Sequence, residues 1–373
     1  MELNDVLKIA LKSAASDIHL KAGLPPMFRV DGALVPLKDA ERLSPEDTAR
    51  LAAEMMTENQ REHFETHHEV DLSYGVQGLG RFRANVFRQR SFIGIVLRVI
   101  SYKIPPFEAL HLPKVVEKLC QEERGLILVT GATGSGKSTT LAAMIEHINS
   151  STSCHIITIE DPVEFMFRDK RSVINQREVG LDTRSFASAL RAALRQDPDV
   201  ILVGEMRDAE TITTALAAAE TGHLVLSTLH TTDAPETVNR IIGSFPPYEQ
   251  DQVRRRLAST LKAVLSQRLI SRSDARGRVP AVEVMVNTGR IRELMEDKER
   301  TRELRDTIVK GGSYGMQSFD QSLHRLMKEG MITLEEAIKN ATNPDDFTLM
   351  VNGISNSDDW VSDAMNESAS TAH

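Results

Sequence analysis

Leu126-Ile127-Leu128-Val129-Thr130 is a short apolar run of strand length, and Gly131-Ala132-Thr133-Gly134-Ser135-Gly136-Lys137-Ser138 follows it directly. The second stretch fits G-x-x-x-x-G-K-[ST], and Leu141, Ile145 and Ile148 then mark a helix. Strand, glycine loop and helix in that order are the context this pattern requires. The glycines let the backbone bend so that successive N–H groups point at phosphate oxygens. The helix N-terminus adds partial positive charge at the same place. Gly131, Thr133, Gly134, Ser135, Gly136, Lys137, Ser138 and Thr139 are therefore the expected nucleotide contacts. Lys137 is expected to reach the β- and γ-phosphates and Ser138 to ligate Mg²⁺. The pattern selects a nucleoside triphosphate and is silent on what its energy drives.

Outward from this loop, strand-length apolar runs recur at Ile156–Ile159, Val200–Val203 and Leu224–Leu226. Helical patterns separate most of them, for example Phe186, Leu190, Ala193 and Leu194, or the alanine-rich Ala209–Thr221 ending at Gly222. Buried strands alternating with amphipathic helices predict an α/β domain with a mostly parallel sheet over 110–351. After Ala281 the pattern turns mainly helical, with amphipathic stretches near 290–310, 316–329 and 333–340.

Residues 1–100 have a different texture. Leu3, Val6, Leu7, Ala10 and Leu11 fall at helical spacing, and Met27–Leu37 is two β-prone runs around Asp31-Gly32, a hairpin signal. Ser44-Pro45-Glu46-Asp47 opens a helix, with Ser44 as N-cap and Pro45 at the first helical position. Arg81–Phe87 and Phe92–Ile100 alternate as strands, so 1–100 reads as a small α+β domain. The paired prolines Pro105-Pro106 make 101–109 a stiff linker. Residues 352–373 are rich in Ser, Asn and Asp with few core formers, which predicts a disordered tail.

Composition narrows the function. A chain of 373 residues with 41% hydrophobic content is long enough for two cored domains. The net charge of −8 and 5% aromatic content disfavour a nucleic-acid partner, which calls for basic surface and stacking rings. Two cysteines, Cys120 and Cys154, cannot build a four-thiolate zinc site and suit a reducing compartment. No apolar run approaches the ~18–20 residues of a membrane-spanning helix, and the acidic start Met1-Glu2-Leu3-Asn4-Asp5 is not a signal peptide.

Other segments carry candidate chemistry. Asp199-Val200-Ile201-Leu202-Val203-Gly204-Glu205 is a buried strand presenting an acid, which is how a carboxylate reaches the γ-phosphate region. Glu205 could orient the attacking water or take its proton; a surface glutamate at a strand end is the alternative. Glu160, Asp161 and Glu164 crowd three carboxylates behind another strand run, suited to holding Mg²⁺ through water or to a solvated Asp-Pro turn. Ser227, Thr228 and His230 could sense a γ-phosphate by hydrogen bonding, although a lone histidine is more often structural. Arg81, Arg83, Arg88, Arg90 and Arg98 concentrate on two strands, a solvated face in a monomer but a source of trans-acting arginines in a ring. Arg254-Arg255-Arg256 reads as one exposed turn rather than a binding patch.

Together and in order, these segments resemble the type IV pilus retraction ATPases, the PilT/PilU family of secretion-type motor ATPases. The resemblance begins at Ala15-Ser16-Asp17-Ile18-His19-Leu20, Gly23-Leu24-Pro25-Pro26 and Arg29-Val30-Asp31-Gly32, which match an N-terminal PAS-like domain. It runs through the nucleotide loop 131–138, an Asp box at 155–165, a Walker B segment at 199–208 and a His box at 221–234. It ends at Gly315-Met316-Gln317-Ser318-Phe319-Asp320. It implies a homohexamer of RecA-like P-loop ATPase domains using ATP and Mg²⁺, each nucleotide covered by a neighbour's N-terminal domain. On that basis Glu164 and Glu205 are the water-activating acids and His230 the phosphate sensor. Ser138 and Glu160 are the Mg²⁺ side, and Arg81, Arg83 and Arg98 are arginine-finger candidates. A cytoplasmic motor at the inner face of the inner membrane is implied, with a membrane platform protein and a related pilus ATPase as partners.

Within the family, Arg290-Ile291-Arg292-Glu293-Leu294-Met295-Glu296-Asp297 matches a helix needed for retraction at Ile291, Arg292 and Leu294. Its Ile291, Leu294 and Met295 are expected to form an apolar stripe able to dock on another surface. Arg177–Thr183 and Ala281–Val284 resemble the PilU branch instead, so a PilU-like accessory retraction ATPase is the alternative. Extension and type II secretion ATPases usually add a four-cysteine zinc insertion and a further N-terminal domain, which two cysteines and the 130 residues before Gly131 disfavour. A RecA-like nucleic-acid translocase and a slow nucleotide switch are the remaining classes.

Overall fold

The computed structural model describes residues 2–30, 32–100, 103–274 and 277–352. Asp31 of the hairpin turn, Ser101-Tyr102 of the linker and 353–373 of the tail lie outside the described residues. The chain divides into two compact units, Met1–Lys103 with Pro162–Phe167, and Ile104–Asp161 with Arg168–His373. Residues 162–167, which carry Glu164, thus group with the N-terminal unit although they fall inside the sequence range read as the ATPase domain.

In the first unit, β1 (Asp17–Lys21), β2 (Met27–Val30), β3 (Ala33–Pro36), β4 (Glu69–Val76), β5 (Gly80–Gln89) and β6 (Phe92–Ile100) form a sheet ordered β3-β2-β1-β6-β5-β4. Every neighbouring pair is antiparallel. Alternation along the strands buries one face: Ile18, Leu20, Phe28, Phe82, Ala84, Val86, Ile95 and Leu97 pack with Leu3 and Leu7 of helix Leu3–Lys12, Leu51 of helix Pro45–Met55 and Phe64 of helix Glu58–His67. Helix Pro45–Met55 starts where its sequence signal places it. Ser44 Oγ accepts the Asp47 N–H, and the Asp47 carboxylate accepts the Ser44 N–H. On the other face a row crosses four strands in register: Arg29, Asp17, Arg98 and Arg83.

In the second unit, β7 (Gly125–Thr130), β8 (His155–Glu160), β9 (Val173–Glu178), β10 (Val200–Val203), β11 (Leu224–Leu229), β12 (Leu261–Ser271) and β13 (Arg278–Val286) are ordered β13-β12-β7-β11-β10-β8-β9. All pairs are parallel except β12 with β13. Strands β7, β10 and β11 are buried along their whole length, as expected of parallel strands covered by helices on both faces. Around them lie helices Lys137–Ser151, Phe186–Ala193, Ala209–Glu220, Ala234–Gly243 and Pro247–Thr260.

Three sequence expectations are corrected by this unit. The helical region begins after Val286, not Ala281, because Val282, Val284 and Met285 with the buried Glu283 continue β13 as a strand covered on both faces. Helices Gly289–Glu296, Leu304–Lys310, Phe319–Lys328, Leu334–Asn340 and Pro344–Val351 follow. Arg254-Arg255-Arg256 is not an exposed turn but part of helix Pro247–Thr260. Its Arg254 is buried and donates through Nη1 to the Met295 carbonyl at 2.8 Å, and Arg256 forms a bidentate pair with Glu220, both bonds 2.8 Å. Finally, Ile291, Leu294 and Met295 are fully buried in the unit's own core, so the apolar stripe of helix Gly289–Glu296 is used internally. Arg290, Arg292 and Glu293 form its exposed side.

Candidate functional site

Parallel register brings the separate sequence segments to one edge of the sheet. Thr130 on β7 pairs with Leu229 on β11, Ser227 with Val203 on β10, and Val203 with Ile159 on β8. The strands therefore end within two residues of one level, with Glu160 closing β8 and Gly131, Glu205 and His230 just beyond the carboxyl ends of β7, β10 and β11. That is where open α/β sheets bind ligands.

The glycine loop is built for close approach. Gly131 has φ +141°, and a Cβ there would lie 2.5 Å from the Gln267 carbonyl oxygen and from Ser135 Oγ. Gly136, at φ +93°, is the N-cap of helix Lys137–Ser151 and leaves its first turn without a side-chain cap. By contrast, helices Phe186–Ala193, Ala209–Glu220 and Ala234–Gly243 of the same sheet region are capped by the side chains of Ser185, Asp208 and Asp233. The missing cap keeps N–H groups at the glycine loop available to an outside anion. Lys137 is buried, and its Nζ donates to the carbonyls of Gly131 at 2.9 Å and Ala132 at 3.0 Å, curled over the loop. Ser135 Oγ is buried and has no hydrogen-bond partner among the described residues. An uncapped helix start, a cation folded over the loop and an orphaned hydroxyl fit a bound polyphosphate. Thr133 is exposed, and Ser138 and Thr139 are half-buried in the first helical turn.

Glu205 lies just beyond β10, its side chain 13% exposed. Its Oε2 sits 2.6 Å from Arg207 Nε and 3.6 Å from His230 Nε2. These residues with Thr228, Thr231, Glu236 and Arg240 line a cleft of about 400 Å³. The structure thus joins two of the expected residues, Glu205 and His230, and adds Arg207, Glu236 and Arg240. Arg207 follows Glu205 by two positions, and Glu236 and Arg240 are one turn apart on the helix after His230, spacings readable in the sequence only once the fold is known. Ser227 and Thr228 are also engaged with the sheet. Their hydroxyls donate to the Val203 and Gly204 carbonyls, both at 2.7 Å, and tie β11 to the end of β10.

Glu160 ends β8 and is buried; its Oε1 accepts from Thr158 Oγ1 at 2.6 Å and from Gln176 Nε2 at 3.3 Å. Behind the loop, Gln267 donates to Thr140 Oγ1 at 2.8 Å while its buried Oε1 has no partner among the described residues. Glu164 and the arginines Arg81, Arg83 and Arg98 belong to the N-terminal unit. There Arg98 Nε donates to Asp17 Oδ1 at 3.0 Å. Burial works against the Asp17 charge, but the bonds from Ser16 and Arg98 and the nearby Arg29 outweigh it and hold the carboxyl below its usual range. Arg83 is exposed beside Arg98 and makes no side-chain hydrogen bond or ion pair among the described residues.

Comparison with known proteins gives the family. The family model described as type II/IV secretion system protein matches residues 1–339. The chain belongs to this family. Among the family's characterised members, it is 46% identical over 347 residues to the Pseudomonas aeruginosa type IV pilus retraction ATPase PilT, covering 93% of this chain and all of the relative. It is 42% identical over 358 residues to the type IV pilus ATPase PilU of the same organism, covering 96% and 93% of the two chains. The crystal structure of the pilus retraction motor PilT with bound ADP superposes with a TM-score of 0.84 at 50% identity, over 92% of this chain and 98% of that one. Mixed α/β architecture with two sheets is therefore a family property as well as an observation on this chain.

Proposed function

We propose that this chain is the ATPase subunit of a motor that retracts type IV pili, hydrolysing ATP to ADP and phosphate. The observation that carries the reading is the uncapped glycine-loop helix with Lys137 folded over it, on the sheet whose neighbouring strands end in Glu205 and His230. Bound ATP supplies the scissile phosphoanhydride, and Mg²⁺ neutralises its phosphate charge. Lys137 and the N–H groups of 131–139 hold the phosphates, and Ser138 with Glu160 (through water) holds the metal. Glu205 and Glu164 orient water and accept its proton, and His230 senses the terminal phosphate. In a homohexamer the RecA-like unit of one subunit is completed by the PAS-like unit of the next, with Arg81, Arg83 and Arg98 as the trans-acting cations. Among the described residues no helix is long and apolar enough to cross a membrane. A cytoplasmic ring docked on an inner-membrane platform protein, alone or with a related pilus ATPase, accommodates that.

Retraction is favoured over a PilU-like accessory role by the higher identity to PilT and the full coverage of that relative. Net charge of −8 works against a nucleic-acid track. The test is phosphate release by the purified chain, together with twitching in a deletion strain complemented by wild type or Lys137→Ala. Wild type should turn over and restore twitching, and Lys137→Ala should do neither. Turnover without restored twitching would leave an ATPase and remove the retraction motor.

A further inference from the structure

Glu283 is a buried charge on the far side of the sheet from Glu160. It is a carboxylate on β13, 6% exposed, in a strand that is otherwise apolar from Val279 to Val286. Ionisable side chains are rarely buried so fully unless they are engaged. Its position in the sheet is informative. The cross-strand register runs Leu229, Thr130, Ser266, Glu283 over β11, β7, β12 and β13. Thr130 precedes the glycine loop and Leu229 precedes His230, so Glu283 lies on the row where both segments leave the sheet. Thr130 Oγ1 donates to Ser266 Oγ at 3.0 Å along the same row.

Glu283 Oε1 accepts the Ala234 N–H at 2.8 Å. Ala234 is the first residue of helix Ala234–Gly243, which follows the segment holding His230. Helix starts leave orphan N–H groups, and this one is completely supplied. Glu283 takes that of Ala234, Pro235 has none, Asp233 Oδ1 takes that of Glu236 at 2.8 Å, and Thr237 N–H reaches the Asp233 carbonyl at 3.0 Å. The residues 230–233 are thereby fixed at both ends, by the β11 ladder on one side and by Glu283 on the other. Charges facing Glu283 come from each packed element: Arg268 on β12, Asp233 at the helix start and Arg305 on helix Leu304–Lys310, the last paired with Asp233.

We propose that Glu283 is a positioning residue for the nucleotide site, anchoring the start of helix Ala234–Gly243 so that His230 is held beside Glu205. This rests on the ATPase reading above. Glu283→Met keeps the volume but removes the acceptor, whereas Glu283→Gln keeps an oxygen for the Ala234 N–H. Two measurements decide the matter. In the nucleotide-free chain, amide hydrogen exchange over 230–238 should rise in Glu283→Met and stay at the wild-type rate in Glu283→Gln. In turnover, Glu283→Met should lower kcat about tenfold, the effect of losing one buried hydrogen bond. Affinity for a fluorescent ADP analogue should stay within about twofold, and Glu283→Gln should recover most of kcat. If Glu283→Met fails to fold, Glu283→Ala takes its place in both measurements. Unchanged exchange in the acceptor-less variant, or a kcat equal to wild type, would overturn the proposal. A wild-type chain without any turnover would defeat the ATPase reading instead, and the exchange comparison would still decide the anchor.

Discussion

His230 Nε2 lies 3.6 Å from Glu205 Oε2, and that same oxygen is 2.6 Å from Arg207 Nε. One carboxylate oxygen therefore faces two basic groups at the mouth of a cleft. The Arg207 side chain is 73% exposed, so its pairing is a weak hold that water and ligand compete with. Glu205 is thus placed to exchange partners, which a residue that positions water has to do.

Glu205→Gln keeps size and hydrogen-bonding capacity but removes the base. Nucleotide binding should survive, and steady-state phosphate release should fall at least ~10²-fold, the lower range for general acid–base effects. A turnover number equal to wild type would move the role to Glu164, and Glu164→Gln would then show the loss.

How much of this was legible in the sequence differs by element. Leu126–Thr130 with its glycine loop could be read directly because fully buried parallel strands are uninterrupted apolar runs, and the loop's glycines have no substitute at positive φ. Strands β9 and β12 were not legible. Their Asn175, Gln176, Arg177, Ser266 and Gln267 break the apolar pattern, and their partners are far away in sequence. Arg254 is hidden from a sequence reading for a related reason. Three consecutive arginines suggest solvent, and only the packing of helix Pro247–Thr260 on helix Gly289–Glu296 sends one of them inward. The stripe Ile291, Leu294 and Met295 was correctly seen as apolar, but periodicity states that a face is covered and not by what.

Arg254 supplies a stability test. Its guanidinium sits at the C-terminal end of helix Gly289–Glu296, bonded to the Met295 carbonyl and, at 3.3 Å, to Thr301 Oγ1. Arg254→Met preserves the apolar stem and leaves both acceptors without this donor, at a cost of about 1–3 kcal/mol. The exposed neighbour Arg255→Ala should change stability by no more than about 0.5 kcal/mol. Urea unfolding of the two variants separates them, and equal midpoints would show that the buried bonds contribute nothing.

Glu283 makes stability depend on pH. Burial pushes its carboxyl up to about 7 from 4.5, with Asp233 adding to the rise and the Ala234 N–H, Arg305 and Arg268 opposing it. The folded chain therefore holds this proton more tightly than the unfolded chain. The favourable contribution is complete below about pH 4.5 and is lost as pH rises through about 7. Glu283→Gln cannot titrate, so its stability relative to wild type should improve by up to about 3 kcal/mol between pH 5 and 8. Denaturant unfolding of both proteins at the two pH values measures this difference directly. A difference that stays constant would mean that Glu283 is charged throughout.

Whether the N-terminal arginines act in trans can be tested by complementation. Arg98 is occupied by Asp17, whereas Arg83 beside it is exposed and makes no ion pair among the described residues, which makes Arg83 the better candidate. Arg83→Ala and Lys137→Ala rings should each be inactive, and mixed rings should regain part of the activity because some interfaces hold both groups. No recovery under conditions of verified subunit exchange would place Arg83 and Lys137 in independent roles.

Helix Gly289–Glu296 separates coupling from chemistry. Its buried side, Ile291, Leu294 and Met295, is core, so Ile291→Ala should cost about 2–5 kcal/mol and reduce ATPase through loss of folded protein. On the exposed side, Arg290 pairs with Glu293 and Glu303, and Arg300 pairs with the same two carboxylates. Arg292 is exposed on that side and joins no ion pair among the described residues. A cation outside the local network contributes little to stability, so it is available to an external partner. Arg292→Ala should leave the unfolding midpoint unchanged and ATPase within a few-fold of wild type, while pilus retraction in cells is abolished. Surviving motility would reduce Arg292 to a solvated charge. Parallel loss of ATPase and motility at unchanged stability would tie the helix to the nucleotide cycle instead of the load. Midpoint, turnover and motility therefore have to be measured on the same variant, because only the combination of intact, intact and lost identifies the helix as the coupling surface.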